Sequence, residues 1–487
     1  SAVHFASTAL ALGRRVVMLD VGNPRSSFAM PSASLNQLKS DLDDPVRYFL
    51  GEDYESLILP TDTSEYYGFP PSKSYVFEKL PGYDINSKGF EPLMSFAQGG
   101  LAEAWTGGAY PFNDGELAAF PIGWKEMGPA YSEVARRIGV SGVGDDDLGA
   151  YLPAHEGLQT PIALDAHSEQ LLHAYNSKRE RINTKHGFYL GHSRTAAISR
   201  DLGERSGCSL CGRCLWGCPT QSFYTPSITL AACKRDPNFE YIPGVRIDHF
   251  VIDGANRVTH VVGHGVANGE EIRREVGSLV LAAGALASGR ILMESMLRAG
   301  ERRELTGLMD NRQIHMPFVN LGRVGEPFGD RSYQYHQLAF GIRRPAPLHY
   351  VHGQVTTVKT VAAHPVVQNL PLDVRTAAGV FRALRSGLGI ANFNFADTRR
   401  SNNYLTLLDD GEEWPMLSAR YTPAPEEARD IKSAMRTVAG FFADLGAPLV
   451  PGMAHVRPTG SGVHYGGTLP MSSQKRAWSV APNGQSY

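Results

Sequence analysis

Apolar residues along the 487-residue chain fall into a few periodic stretches, separated by long segments rich in glycine and proline. The clearest is 426–445. Ile431, Ala434, Met435, Val438, Phe442 and Leu445 recur there at helical spacing and Gly446 supplies a stop, which predicts a helix with that stripe in the core. A second helix is predicted from Pro121–Trp124 to about Ile138, with Tyr131, Val134 and Ile138 on one face. A third covers 162–181, and its terminal Lys178, Arg179 and Arg181 suit the negative end of a helix dipole as a solvated end. Val16–Leu19 and 278–283 read as short buried strands. The runs 239–252 and 257–264 read as two strands around the turn Asp253–Gly254–Ala255–Asn256. From 311 to about 422 the pattern alternates, notably in 349–360 and 403–408, as strands of a mostly antiparallel sheet would. Residues 23–90, with Pro24, Pro31, Pro45, Pro60, Pro70, Pro71 and Pro81, read as irregular; so long an excursion is more often functional than a linker.

The length allows a large core and about three domains' worth of chain. With 47 Lys+Arg against 49 Asp+Glu, the net charge of −2 favours neither nucleic acid nor an anionic membrane as partner. No apolar run reaches the ~18 residues of a membrane span. Four of the five cysteines crowd into one short run, unlike a secreted disulfide framework.

The N-terminal stretch SAVHFASTALALGRRVVMLDVG carries the first candidate chemistry. Ala2, Ala6 and Ala9 lie on the side of a helix that would pack flat on a sheet, Gly13 ends it, and Asp20 closes the following strand. In a dinucleotide-binding βαβ unit an acid in that place holds the ribose hydroxyls. Ala2 then takes the small third position of G-x-G-x-x-G/A, and the two phosphate-facing glycines would lie upstream of Ser1. The chain is accordingly expected to be a fragment cut inside its phosphate loop. An ordinary amphipathic helix and strand is the competing reading. In SFAQGGLAEAWTGGAYPF, the pairs Gly99–Gly100 and Gly107–Gly108 bracket Trp105. Such glycines let the backbone approach a flat ligand, or simply turn the chain. At 281–285, Ala283 and Gly284 lead into a helix running to about Leu297, a unit that aims a helix N-terminus at a phosphate or flavin ring.

Cys208, Cys211, Cys214 and Cys218, followed by Pro219, have the C-x2-C-x2-C-x3-C-P spacing of an iron–sulfur run, able to supply three or four ligands. Structural thiols, a disulfide and zinc stay open. Structural zinc usually takes two separated knuckles, whereas here the two overlap at Cys211. Trp216, inside the run, shields a cluster or packs. The last glycine-rich stretch, HVRPTGSGVHYGGTLPMSS, holds His464.

Together, in order and spacing over most of the chain, these pieces resemble the glucose–methanol–choline (GMC) family of FAD-dependent oxidoreductases. QGGLAEAWTGG at 98–108 resembles its flavin-contacting segment, GVRI with Val245 the strand whose backbone meets the adenine, LAAGALASGRILMES at 281–295 its second signature, and GVHYGGTLPM at 462–471 its active-site histidine loop. The resemblance implies an α/β fold: a Rossmann-like FAD-binding domain over 1–310, incomplete at both termini and with a Cys-rich insert at about 200–225. An α+β substrate domain with a mostly antiparallel sheet would follow over 311–450, and 451–487 would return to the first domain. It implies FAD held by Ala2, Asp20, Gly99, Gly100, Trp105, Gly107, Val245, Ala283, Gly284 and Arg290. His464 would be the base for the hydroxyl proton of an alcohol or sugar. The family's second active-site residue, His or Asn, falls beyond Tyr487, so the expectation attaches to the parent protein. Some sugar dehydrogenases of the family carry a three-iron cluster on cysteines spaced like Cys208, Cys214 and Cys218. Cys233 would be a remote fourth ligand for a four-iron cluster, so 3Fe-4S and 4Fe-4S both stand. Electrons would then leave singly to a protein or quinone acceptor. His315, His336 and His455 have no motif and are read as structural. The expected site is the cytoplasm, or the periplasm if a signal preceded Ser1. The rival reading is a non-catalytic flavoprotein-like fold with a structural metal or thiol module.

Overall fold

A computed structural model describes residues 1–25, 33–54, 56, 69–301, 304–358, 371–408 and 415–486. The larger core lies against a six-stranded antiparallel sheet. Its order is His455–Val456, Arg312–Val319, Leu388–Phe395, Tyr350–Thr357, Leu338–Arg343 and Phe188–His192. The alternation in 349–360 is realised over Tyr350–Thr357: Val351 and Val355 face the core, while His352 and Gln354 face the other way; 359–360 lie outside the described residues. Ile314, Met316 and Phe318, and Ala391, Phe393 and Phe395, turn inward on the neighbouring strands. The inward face is covered by the helices Ala166–Asn176, Arg179–His186 and Glu427–Asp444. Phe188 and Phe441 stack with ring centroids 3.5 Å apart. Two glycines on this face are required by packing, because a Cβ on Gly353 or Gly389 would lie 2.1 or 2.3 Å from the rings of Phe340 or Phe318 on the paired strands.

The second core surrounds the helix Ala285–Arg298. The meander Val245–Ile252, Val258–Gly265 and Glu271–Glu275 packs on it, as does a sheet of Glu304–Thr306, Tyr404–Leu408, Met416–Arg420 and Ile85–Lys88. Ile85–Lys88 pairs parallel with Met416–Arg420 and lies inside the 23–90 stretch that reads as irregular. That stretch also contains the helices Leu35–Asp41 and Pro45–Leu50.

At the N-terminus the helix Ala2–Ala11 leads to Val16–Leu19, which pairs parallel with Phe239–Ile242. The helix buries Val3, Ala6 and Leu10. Of the three alanines expected against a sheet only Ala6 is buried, because the helix packs on Pro226–Cys233 through Cys233. Val16–Leu19 is half-exposed rather than buried, since among the described residues it has a partner along one edge only. Residues 278–283 form no ladder and Val280 is exposed; a parallel strand is buried where neighbours flank it, and none does among the described residues. The 239–252 run is two strands, broken at Pro243 and Gly244, where the proline lacks an N–H and φ at Gly244 is +76°. The 162–181 helix is likewise two, parted at Ser177–Lys178. Val134 is exposed, and Gly128, Ala135 and Ile138 form the buried face of its helix. The helix Glu427–Asp444 follows its predicted stripe and also buries Phe441. Among the described residues no helix is long and apolar enough to cross a membrane.

Candidate active site

One short stretch, 90–98, joins the separated candidates. At one end the Glu91 N–H bonds the Thr459 carbonyl at 2.7 Å, and the Leu93 N–H bonds the Tyr465 hydroxyl at 2.9 Å. At the other end Asn23, three residues beyond Asp20, pairs with Ala97: its N–H bonds the Phe96 carbonyl and its carbonyl takes the Gln98 N–H, each at 2.9 Å. Leu93 and Ala97 are four residues apart, at most about 14 Å of extended chain. The His464 loop, the Asp20 strand and the 98–108 segment therefore lie on one continuous piece of structure.

Asp20 accepts from the Tyr241 hydroxyl at 3.0 Å, and burial raises its pKa against the lowering effect of Tyr241 and the Gly22 and Val21 N–H groups. Its carbonyl takes the Val245 N–H at 3.0 Å, so the two residues expected at the adenosine end are neighbours. Trp105 donates from Nε1 to the Tyr224 carbonyl at 2.8 Å, and the Tyr224 hydroxyl reaches His4 Nε2 at 3.1 Å. This brings the first helix, with Ala2 at its N-terminus, beside the 98–108 segment.

That segment is braced from within by Glu103, a buried side chain that takes bonds from the N–H and hydroxyl of Ser227 at 2.9 and 2.7 Å. Lys73, which donates to the Glu103 carbonyl, is pushed down to about 8 by burial. A Cβ on Gly99 would lie 2.4 Å from Glu103 Oε1, and one on Gly107 2.5 Å from the Phe223 ring. Gly100 (φ +64°) and Gly284 (φ +84°) have nothing within 4 Å of such a Cβ. Ala283 and Gly284 are exposed at the N-terminus of the helix Ala285–Arg298. Bare backbone, two helix N-termini and a ribose-type acid fit a flat, anionic dinucleotide such as FAD. Arg290, in the helix that Gly284 opens, is buried with its guanidinium 4.2 Å over the Tyr83 ring and bonded to the Pro415 carbonyl at 3.2 Å.

His464 is exposed but surrounded by protein; burial, and then the Arg457 guanidinium, hold its pKa below the ordinary value, so the ring is neutral at pH 7. Val463 before it has φ +56°, a conformation uncommon for a β-branched residue. Gly466 exchanges two bonds with Met309, the Gly460 N–H bonds Asp310 Oδ2 at 2.7 Å, and the Tyr465 hydroxyl reaches the Gly460 carbonyl. Asp310 directly precedes the strand Arg312–Val319 by two residues, so the loop sits at that edge of the six-stranded sheet.

The sheet face turned away from the core is polar, carrying Gln313, His315, His352, Gln354, Asn392 and Asn394. It meets the 98–108 segment directly: a Cβ on Gly108 would lie 2.8 Å from Gln354 Nε2 and 3.3 Å from His336 Nε2. His336, read as structural from sequence, abuts this segment, and His315 lies on the same sheet face. The alternation His352, Gln354, Thr356 within an apolar strand was the available signal.

Cys208, Cys211, Cys214, Cys218 and Cys233 are all free thiols. The run lies behind Gly107, with Phe223 and Tyr333 packed against Cys214. The sulfurs feel one another's charge. Burial pushes Cys208 up to about 11 and Cys214 well above the usual thiol range. At Cys218 burial is outweighed by hydrogen bonds from the Phe223 N–H and the Ser222 and Thr220 hydroxyls, and its pKa is lowered. Among the described residues no three His, Cys, Asp or Glu side chains are disposed to hold a metal ion. The run as placed does not fit an iron–sulfur cluster or zinc, and Trp216 packs with Leu35, Leu38 and Tyr48.

The His464 loop is thus tied both to the start of the strand Arg312–Val319 and to the 90–98 stretch that reaches Asn23. Residues 122–328 match the family model described as GMC oxidoreductase. A solved structure from a study of FAD modification in the formate oxidase of Aspergillus oryzae RIB40 shares the fold, with a TM-score of 0.50 and 14% identity. The match covers 90% of this chain and 78% of that one. Among curated proteins none matches the sequence.

Proposed function

We propose that this chain oxidises a CH–OH group of an alcohol or sugar, with His464 as the base. FAD, when bound, supplies the hydride acceptor. Asp20 and the backbone at Val245 hold the adenosine end, and the 98–108 segment and the Ala283–Gly284 helix entry hold the flavin end. His464 takes the substrate hydroxyl proton on a ring nitrogen, which its lowered pKa keeps free at neutral pH. The observation that carries this reading is the 90–98 stretch, which ties the His464 loop to Asn23 and Gln98. The partners in the reading are a small-molecule alcohol or sugar and a protein or quinone acceptor. The cysteines as placed do not suit a metal relay, and no step is routed through them. Anaerobic titration of the flavin-loaded protein with a panel of alcohols and sugars tests the proposal. Bleaching of the flavin band supports it; a band that no member of the panel bleaches, while dithionite does, overturns it.

A further inference from the structure

A cavity of about 270 Å³ lies between the strand Glu304–Thr306 and residues 468–479, just past the His464 loop. Arg399 and Arg476 both line it, together with Thr306, Thr468 and Trp478. Glu304 is the one carboxylate among the described residues of the lining. Arg399 is fixed in place but not neutralised. Its Nε donates to the Gly467 carbonyl at 2.5 Å and its Nη2 to the Thr306 carbonyl at 2.9 Å, which leaves Nη1 without a partner among the described residues. Burial lowers its pKa, and no carboxylate, Glu304 included, offsets that loss. Arg476 makes one side-chain bond, from Nη2 to Gln474 Oε1 at 3.3 Å, and no ion pair among the described residues. The hydroxyl of the buried Thr468 and the Trp478 Nε1 make no hydrogen bond among those residues either. Trp478 has φ +61°, an outlier for so bulky a side chain, and backbone strain of that kind gathers at ligand sites.

We propose that this cavity binds the oxyanion group of a small organic anion, a phosphate ester or a carboxylate. Guanidinium and indole nitrogens can only donate, and the threonine hydroxyl can do so as well, so the set matches a ligand whose oxygens accept. A guanidinium already held by two carbonyls loses little freedom when it takes up such an oxygen, and charge-assisted bonds of this kind are the strong ones. The volume lies just below the roughly 300–1,000 Å³ of pockets for drug-sized ligands, so the anion carries only a short carbon skeleton. The site shares no residue with those assigned above to the cofactor or to proton transfer, and it stands whether or not the chain oxidises an alcohol.

The test uses the flavin-loaded protein, so that no phosphate probe can settle in the dinucleotide ground, in Tris buffer at an ionic strength fixed with sodium chloride. Isothermal titration calorimetry reads the affinity for glycerol 3-phosphate, succinate and inorganic phosphate, with glycerol as the uncharged control. Saturable binding of glycerol 3-phosphate or succinate is expected, and none of glycerol. The tighter of the two organic anions identifies the phosphate ester or the carboxylate as the natural chemistry. In Arg476→Gln and in Arg399→Gln that affinity should fall at least tenfold. Where circular dichroism shows that Arg399→Gln disturbs folding, Thr468→Val takes its place. No saturable binding of either organic anion, binding of inorganic phosphate alone, glycerol binding as well as its phosphate, or variants that keep the full affinity would each overturn the proposal.

Discussion

The Tyr465 hydroxyl accepts the Leu93 N–H at 2.9 Å and donates to the Gly460 carbonyl, so one phenol clasps both the loop that carries His464 and the stretch that reaches the nucleotide end. Tyr465→Phe leaves an N–H and a carbonyl without that partner. A loss of about 1–3 kcal/mol in unfolding free energy is expected. Flavin reduction should slow while FAD content holds. Urea unfolding and stopped-flow bleaching read the two effects; an unchanged bleaching rate would show that the loop keeps its place without the clasp.

His464→Ala is expected to slow flavin reduction by about 10²- to 10⁴-fold, the usual range for loss of a general base, with the protein still yellow. Because burial and Arg457 lower the pKa of His464, the acid limb of the reduction rate in the unmodified protein should have its midpoint below the ordinary histidine value of about 6.5. A midpoint above that value would assign the proton to another group.

Gly107 has φ +76° and faces the Phe223 ring. Gly107→Ala forces both a left-handed alanine and a close contact, and the expected cost is about 1–3 kcal/mol. The segment should shift and FAD should wash out more readily. Thermal unfolding together with the flavin-to-protein absorbance ratio checks this, and a normal ratio would place Gly107 away from the cofactor.

Asp444 ties the helix Glu427–Asp444 to Lys185 at 2.8 Å and His186 at 2.7 Å, and those bonds hold its carboxyl at about 2. A folded pKa below the unfolded one gives stability that is fully present above the unfolded carboxylate value. It is lost as pH falls toward about 2. The pair is partly exposed and screened, so Asp444→Asn should cost only about 1 kcal/mol at pH 7. The difference between variant and unmodified protein should shrink by pH 3; urea midpoints at the two pH values measure it.

Hydrogen bonds make the Cys218 thiol more ready to ionise than those of Cys208 and Cys214, which burial suppresses. Mass spectrometry after brief alkylation at pH 7.5 should find Cys218 labelled before those two. Equal protection of all four, together with stoichiometric iron, would instead return the run to cluster binding.

Where a stripe or an alternation is local, the sequence announced it. Ile431 through Leu445 form their helix, and 349–360 contains a strand, because the period alone decides those elements. Ile85–Lys88 was invisible because its partner strand lies more than 300 residues away and its own side chains are mostly exposed. The strand expected at 278–283 failed for the converse reason: apolar composition does not supply a neighbour to bond. His464 could be singled out from its loop, whereas His336 could not and His352 only as a polar position in an alternating strand, since being buried and unpaired is a property of packing. The cysteine spacing matched a ligand run, but among the described residues no three such side chains are disposed to hold a metal ion. Cys211 pairs with Ser332 and accepts the Leu35 N–H, while the Cys218 sulfur turns to Ser222.

The pinning of 90–98 at both ends makes that stretch a gauge rod. The His464 loop and the Asp20 strand cannot drift apart without breaking backbone bonds at Glu91 or Asn23, so a wide hinge opening about this segment is closed to the molecule. Inserting even two residues between Leu93 and Phe96 should set the two ends out of step.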